Sequence, residues 1–136
     1  MRFAALVALA LTAATASQAN TDSRPPLREV SEIDGPLFSV ALAIEISDRC
    51  DRIDPRNVKG FFLLNQLNGR ARDLGYSKDE IDAYVNSPEE KARMRARGEA
   101  YVKSQGLDPE NPADLCSLGK SEIARNSQIG ALLKEK

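Results

Sequence analysis

Two cysteines, Cys50 and Cys116, are the residues of this sequence with the most distinctive chemistry. They lie far apart in the chain, so they lack the C-x-x-C spacing that lowers a thiol pKa in redox-active pairs. Two thiols are also too few for a zinc or iron–sulfur site made of cysteine alone. In an exported protein a lone pair of cysteines usually forms a disulfide. We therefore predict a structural disulfide between them, with intermolecular disulfides as the minor alternative.

The chain contains no histidine. This excludes Ser-His-Asp and Cys-His nucleophiles, histidine-ligated zinc and imidazole pH switches. Ser117-Leu118-Gly119-Lys120 contains a Ser-x-x-Lys pattern, but no oxyanion-type glycine motif accompanies it. The sequence also has no Walker loop and no Gly-x-Gly-x-x-Gly motif. We therefore expect a protein that is not an enzyme and that uses neither a cofactor nor a metal.

Asp79, Glu80 and Asp82 form an acidic group that could suggest acid–base or calcium chemistry. Calcium loops need oxygen ligands at alternate positions and a glycine at the turn, and glycosidases need two carboxylates that face each other. Neither pattern is present. Ser77 begins a capping-box pattern just before these acids, and acids stabilise the first turn of a helix. The favoured interpretation is a helix N-terminus.

Lys91, Arg93, Arg95 and Arg97 form a basic run that could bind an acidic partner, a phosphate or a lipid head group. On a helix Arg93 and Arg97 share one side, and Glu89 lies four residues before Arg93 in the favourable orientation for an ion pair. Runs of charge are usually solvated. We therefore favour a solvated helix face that pairs with its own acids.

The length and the N-terminus indicate one exported domain. A chain of 136 residues with 42% hydrophobic and 29% charged residues is long enough for one compact domain, and its formal charge of −1 does not favour nucleic-acid binding. Met1-Arg2, an apolar run over residues 3–14 and Ser17-Gln18-Ala19 predict a signal peptide over residues 1–19. Cleavage after Ala16 and an uncleaved anchor helix are the alternatives. We expect a periplasmic or secreted protein without stable membrane insertion after cleavage.

Helix signals recur along the rest of the chain, and no strand is predicted. Residues 20–33 contain Pro25-Pro26 and suggest an extended polar leader. Residues 34–136 then predict a single all-α domain, a compact bundle of about four to five helices tied by one disulfide. The predicted helix starts are Asp34-Gly35-Pro36, Asp54-Pro55, Ser77 and Ser87. The first helix is apolar on all sides, which predicts a central position in the bundle. Ile129, Leu132 and Leu133 either extend the last helix or form a terminal turn.

Val58, Phe61 and Phe62 lie opposite the leucine stripe of the helix predicted over residues 56–74. One interpretation is a partner surface, because large exposed apolar patches mark interfaces. The other is that the first helix or the C-terminal segment covers these side chains. We favour the intramolecular cover, since phenylalanine is usually buried.

The chain resembles a family of small exported bacterial proteins, mainly from marine and photosynthetic alphaproteobacteria, that are grouped only as a domain of unknown function. The matching segments are Pro-Pro-Leu-Arg-Glu-Val at 25–30, Ile-Asp-Gly-Pro-Leu at 33–37, Ala-Arg-Asp-Leu-Gly-Tyr at 71–76, Glu-Lys-Ala-Arg-Met-Arg-Ala-Arg-Gly at 90–98, Leu-Cys-Ser-Leu-Gly at 115–119 and Ser-Gln-Ile-Gly at 127–130. The resemblance implies an exported helical domain with paired cysteines. It implies no activity and no site residue.

These observations favour a non-catalytic periplasmic interaction or accessory protein, monomeric or weakly dimeric, whose partner is an unknown envelope protein. The alternative is an acid-stress chaperone, since the chain resembles small helical disulfide-linked periplasmic chaperones in layout. Protonation of its 20 acidic residues makes the chain strongly positive, which favours expansion.

Overall fold

The computed structural model describes residues 23–136, and the predicted signal peptide lies outside this range. Five α-helices make up most of the described chain, which confirms the predicted all-α class. A pair of short strands accompanies them. In chain order the elements are α1 (Ser31–Arg49), β1 (Ile53–Pro55), α2 (Asn57–Asp73), α3 (Lys78–Asn86), α4 (Pro88–Ser104), α5 (Pro112–Ala124) and β2 (Leu133–Glu135).

Helix α1 lies at the centre of the fold, as predicted, because α2, α4 and α5 all pack against it. Its Phe38, Leu42 and Ile46 recur about one turn apart and are buried in the core. The helix is not buried on all sides, however. Ile44 is 50% exposed. One face of the central helix therefore stays open.

The chain before the predicted helix start differs from the extended leader that we expect over residues 20–33. A 3₁₀ turn occupies Leu27–Glu29, and α1 already begins at Ser31. Leu27 of that turn and Ile33 of α1 are both buried in the core. Burial of these side chains outweighs the local start signal at Pro36, which lies inside α1.

The helix boundaries after α2 follow the local signals that the sequence contains. Ser77 and Glu80 form a reciprocal capping box: the Glu80 amide donates to Ser77 Oγ at 3.1 Å, and the Ser77 amide donates to Glu80 Oε2 at 2.6 Å. The Glu90 amide donates to Ser87 Oγ at 3.3 Å and caps α4. Gly75 ends α2 with φ at +96°, a left-handed conformation that glycine adopts without steric cost.

The two strands contradict the expectation that the chain contains none. They pair antiparallel, and the register aligns Ile53 with Glu135, Asp54 with Lys134 and Pro55 with Leu133. Arg56 continues the pairing, since its amide donates to Leu132 O at 2.7 Å and its Nε donates to Leu133 O at 2.9 Å. Strands of three residues are too short to show the alternation of apolar and polar side chains by which strands are recognised.

Cys50 and Cys116 form the predicted disulfide, with Cα atoms 5.2 Å apart. Cys50 follows the end of α1 and Cys116 lies in α5, so the bond joins the first and last helices. Gly119 lies one turn further along α5. A Cβ atom at this position would lie 2.4 Å from Ile53 Cδ1 and 2.8 Å from Ile46 Cγ2. The missing side chain therefore permits the close approach of α5 to α1 and β1.

Asp34 is a buried carboxylate that joins α1 to α3 and α4. Tyr84 Oη donates to its Oδ1 at 2.5 Å, Arg97 Nη1 donates to Oδ2 at 2.9 Å, and Arg93 donates to both oxygens. Burial raises the pKa of Asp34. This effect is outweighed by the hydrogen bonds from Arg93 and Tyr84 and by the charges of the two guanidinium groups, which hold the pKa below its ordinary value. Asp34 therefore lies inside α1 and connects three helices, whereas the sequence suggests only a helix start at this position.

Glu122 of α5 is a second buried carboxylate, and it is fully enclosed. Tyr101 Oη of α4 donates to its Oε1 at 2.5 Å, and Arg125 and Ser127 donate to the same carboxylate. Burial raises the pKa of Glu122, but the hydrogen bonds from Ser127, Tyr101 and Arg125 lower it further than burial raises it. Among the described residues, every buried side-chain nitrogen and oxygen has a hydrogen-bond partner.

Reduction of the Cys50–Cys116 bond should destabilise the fold strongly. The closed loop spans 66 residues, and the chain-entropy model gives about 4 kcal/mol for a loop of that length. For a domain of this size the melting temperature should fall by about 15 °C. Thermal unfolding with and without reductant measures the shift. Free thiols in the native protein, or an unchanged melting temperature after reduction, would contradict the structural role.

Candidate functional site

The Ser-x-x-Lys pattern of α5 is an ordinary helical segment. The Ser117 hydroxyl donates to the Ala113 carbonyl at 3.0 Å, which is the bond that serine commonly makes inside a helix. Ser117 is exposed, and the Lys120 side chain is exposed as well. The hydroxyl is therefore engaged with the backbone and not with the lysine.

The acids of α3 act as helix-terminal residues, as the sequence predicts. Glu80 belongs to the capping box, and Asp82 pairs with Lys78 one turn earlier. Asp79 lies in the first turn, where a negative charge stabilises the helix. Within residues 23–136, no cluster of three or more His, Cys, Asp or Glu side chains could hold a metal ion.

The basic run of α4 divides between two sides of the helix. Arg93 and Arg97 face α1 and pair with Asp34, and Arg93 also pairs with Glu90 at 2.7 Å. The partner of Arg93 is thus Glu90, one residue after the Glu89 that the sequence suggests. This half of the run is structural.

The other half of the run, Lys91 and Arg95, points away from Asp34 towards a groove between α1 and α4. Both side chains are exposed. Neither cation forms an ion pair with a carboxylate of the described chain. The prediction of a helix face that pairs with its own acids is therefore correct for the Arg93–Glu90 pair only, because Arg97 pairs with Asp34 of α1.

Val58, Phe61 and Phe62 form an exposed surface that we call the α2 patch. Their side chains are 70%, 63% and 66% exposed. The two phenylalanine rings contact each other edge to face, with centroids 6.1 Å apart. Ala71, on the opposite face of α2, is buried in the core. The α2 patch therefore projects from the molecule.

The prediction that α1 or the C-terminal segment covers the α2 patch is wrong for the described residues. Helix α1 packs on the opposite face of α2, where Leu67 and Leu74 are half-buried against the core. Ile129, Leu132 and Leu133 lie within that same core. Ile129 and Leu132 belong to a separate terminal turn, and Leu133 begins β2, whose pairing with β1 holds this segment in place.

The part of α2 around the α2 patch carries no negative charge, and the first acid of the helix is its last residue, Asp73. Residues 57–72 contain no aspartate or glutamate, and their cations are Lys59, Arg70 and Arg72. Arg70 pairs with Glu32 of α1 at 2.8 Å, whereas Lys59 is exposed beside the α2 patch. The charge that α2 places beside the α2 patch is therefore positive.

A groove with a volume of about 590 Å³ runs between α1 and α4. We call it the α1–α4 groove. Its apolar wall residues are Leu37, Ala41 and Ile44 from α1 and Met94, Gly98 and Val102 from α4. Leu64 of α2 and Val85 of α3, both partly exposed, line it as well. The open face of α1 is therefore one wall of this groove.

Sequence reasoning missed the α1–α4 groove. The apolar residues of α1 surround the helix, and this pattern predicts burial on all sides. The signal that was available is the narrow apolar stripe of α4, which is too narrow to cover one whole face of α1. No helix of residues 23–136 is both long enough and apolar enough to cross a membrane.

Comparison with known families gives one assignment. Residues 25–134 match the model of a family of unknown function, DUF5333. Searches of curated proteins and of solved structures find no match. The matched region contains all five helices, both cysteines, the α2 patch and the α1–α4 groove. The chain therefore belongs to DUF5333, a family of unknown function.

Proposed function

We propose that this protein is a non-catalytic accessory protein of the periplasm or the extracellular space that binds an envelope protein through the α2 patch. The carrying observation is the exposure of Val58, Phe61 and Phe62 on one helix face. Large aromatic side chains are enriched in interfaces, and exposed apolar groups often mark them. The predicted signal peptide and the Cys50–Cys116 disulfide support export. Alphaproteobacterial origin, which the resemblance implies, is part of this proposal.

The charge of α2 supports a partner that combines apolar and acidic side chains. Lys59 lies one residue after Val58, and no acid follows before Asp73. Two copies of the α2 patch placed face to face would bring like charges together, which is unfavourable. This favours a different protein as the partner and a monomer or weak dimer in its absence.

Phe61→Ala and Phe62→Ala should leave the fold nearly unchanged. Each should alter the free energy of unfolding by no more than about 0.5 kcal/mol, because both rings are mostly in solvent. Phe38→Ala is the matched control, since Phe38 is buried and should lose about 3–5 kcal/mol. Chemical denaturation measures all three.

The same side chains should be necessary for complex formation. A photoreactive residue in place of Phe62 should crosslink an envelope protein in cells, and Val58→Asp should abolish that product. A photoreactive residue in place of Lys103, exposed on α4, is the control and should give no such product. A crosslink that survives Val58→Asp, or none at all from position 62, would contradict the proposal.

Acid-stress chaperone activity is a second candidate, and the two buried carboxylates favour it. Asp34 and Glu122 both have pKa values below their ordinary values because donors surround them. Each therefore stabilises the fold above its unfolded-state pKa of about 4, and this contribution is lost as the pH falls through the lower folded-state pKa. Acid thus weakens the contacts that hold α3, α4 and the C-terminal turn.

The free energy of unfolding should fall progressively below about pH 4, and a hydrophobic dye should bind to the loosened state. Asp34→Asn should lower stability at neutral pH and flatten this acid dependence. Thermal melts over a pH series measure both effects. If the acid form also suppresses aggregation of a client protein stoichiometrically at about pH 3, the second candidate is correct. Dye binding without protection would rule it out.

A further inference from the structure

We propose that the α1–α4 groove is a binding site for an anionic amphiphile with a single acyl chain. The chain lies along the apolar walls, and the anionic head group contacts Lys91 and Arg95. This site uses none of the residues of the α2 patch, so the inference is independent of the proposed function.

The size and shape of the groove fit an elongated apolar ligand. Its volume of about 590 Å³ lies within the range of small-molecule sites, about 300–1,000 Å³. The α1 wall extends from Leu37 to Arg49, a distance of about 18 Å at the rise of an α-helix. Ile44, at the middle of this wall, is half exposed. A groove of this length with apolar walls accommodates an alkyl chain.

The two free cations supply the head-group site. Lys91 and Arg95 are one turn apart on α4, so their side chains leave the helix on the same side. Both line the groove, and within residues 23–136 neither pairs with a carboxylate. Arg93 and Arg97 are held by Asp34 and are not available. An anionic head group would therefore meet two cations without breaking an ion pair.

The acidic residues around the groove determine which way round the ligand binds. Glu45 is neutralised by Arg49 at 3.2 Å, and Glu90 is paired with Arg28 and Arg93. Glu99 and Glu110 remain, further towards the C-terminal end of α4 and in the loop that follows it. The Lys91 end therefore attracts an anion and the opposite end repels one. The head group of a cationic amphiphile would be repelled at the Lys91 end.

Titration calorimetry of the protein without its predicted signal peptide tests the site with two probes, palmitate and a lysophosphatidylglycerol. Both are used below the concentration at which they form micelles. We expect saturable binding at one site per chain. The ratio of the two affinities distinguishes a free fatty acid from a lysophospholipid as the better ligand.

Two changes in the groove should separate the chain site from the head-group site. Ile44→Asp should abolish binding of both probes, because it places a charge against the alkyl chain. The double variant Lys91→Ala with Arg95→Ala should weaken the binding of palmitate by about tenfold or more. It should leave the affinity for the neutral monopalmitoylglycerol unchanged. Should Ile44→Asp fail to fold by circular dichroism, Val85→Asp at the exposed side of the groove replaces it.

Matched controls lie outside the groove. Lys103→Ala removes an exposed cation of α4, and Phe61→Asp alters the α2 patch; both should bind palmitate normally. Loss of crosslinking in Phe61→Asp with normal palmitate binding keeps the two sites distinct. If palmitate binding is lost in Phe61→Asp, the groove is not an independent site and the inference fails.

The inference is overturned if neither probe binds saturably, or if dodecyltrimethylammonium binds as tightly as palmitate. It is also overturned if inorganic phosphate alone binds as tightly as lysophosphatidylglycerol, since the apolar groove would then contribute nothing. A dimer in sedimentation that Ile44→Asp converts to a monomer would show that a second copy occupies the groove. Binding of an amphipathic helical peptide in place of both amphiphiles would likewise contradict it.

Discussion

The close crossing of α1 and α5 is the constraint on which the rest of the structure depends. Gly119 allows α5 to approach Ile46 of α1 and Ile53 of β1, and the Cys50–Cys116 bond fixes the crossing one turn away. Because β1 follows α1 and β2 follows α5, the same crossing brings the two strands together. The remaining helices then pack around α1.

Two buried carboxylates extend this arrangement to the other helices. Asp34 connects the beginning of α1 with α3 and α4, and Glu122 connects α5 with α4 and with the terminal turn. No comparable contact involves the outer side of α2 or the open face of α1 at Ile44 within the described residues. The molecule therefore presents two apolar surfaces outside these contacts, the α2 patch and the α1–α4 groove, and these are the surfaces to which we assign binding.

Local signals in the sequence predicted the parts of the fold that depend on neighbouring residues. Predicting the capping box at Ser77 requires only residues within one turn, and predicting the disulfide requires only the two cysteines and the predicted signal peptide. Properties that depend on distant partners were not predictable in this way. Asp34 resembles a helix start but binds α3 and α4, and Phe61 has the character of a core residue but is exposed. The α1–α4 groove was missed for the same reason, since it depends on how far apart two helices lie.

The free energies of unfolding of two matched glycine variants test the central claim most directly. Gly98 and Gly119 both lie inside helices, where alanine is favoured over glycine by about 1 kcal/mol. A Cβ at Gly98 would make an ordinary contact, 3.7 Å from Leu42 Cδ1, so Gly98→Ala should maintain or raise stability. Gly119→Ala should lower it by about 1–3 kcal/mol, because the added methyl forces α5 away from α1 and β1. If Gly119→Ala is as stable as the native protein, the close α1–α5 crossing does not determine this fold.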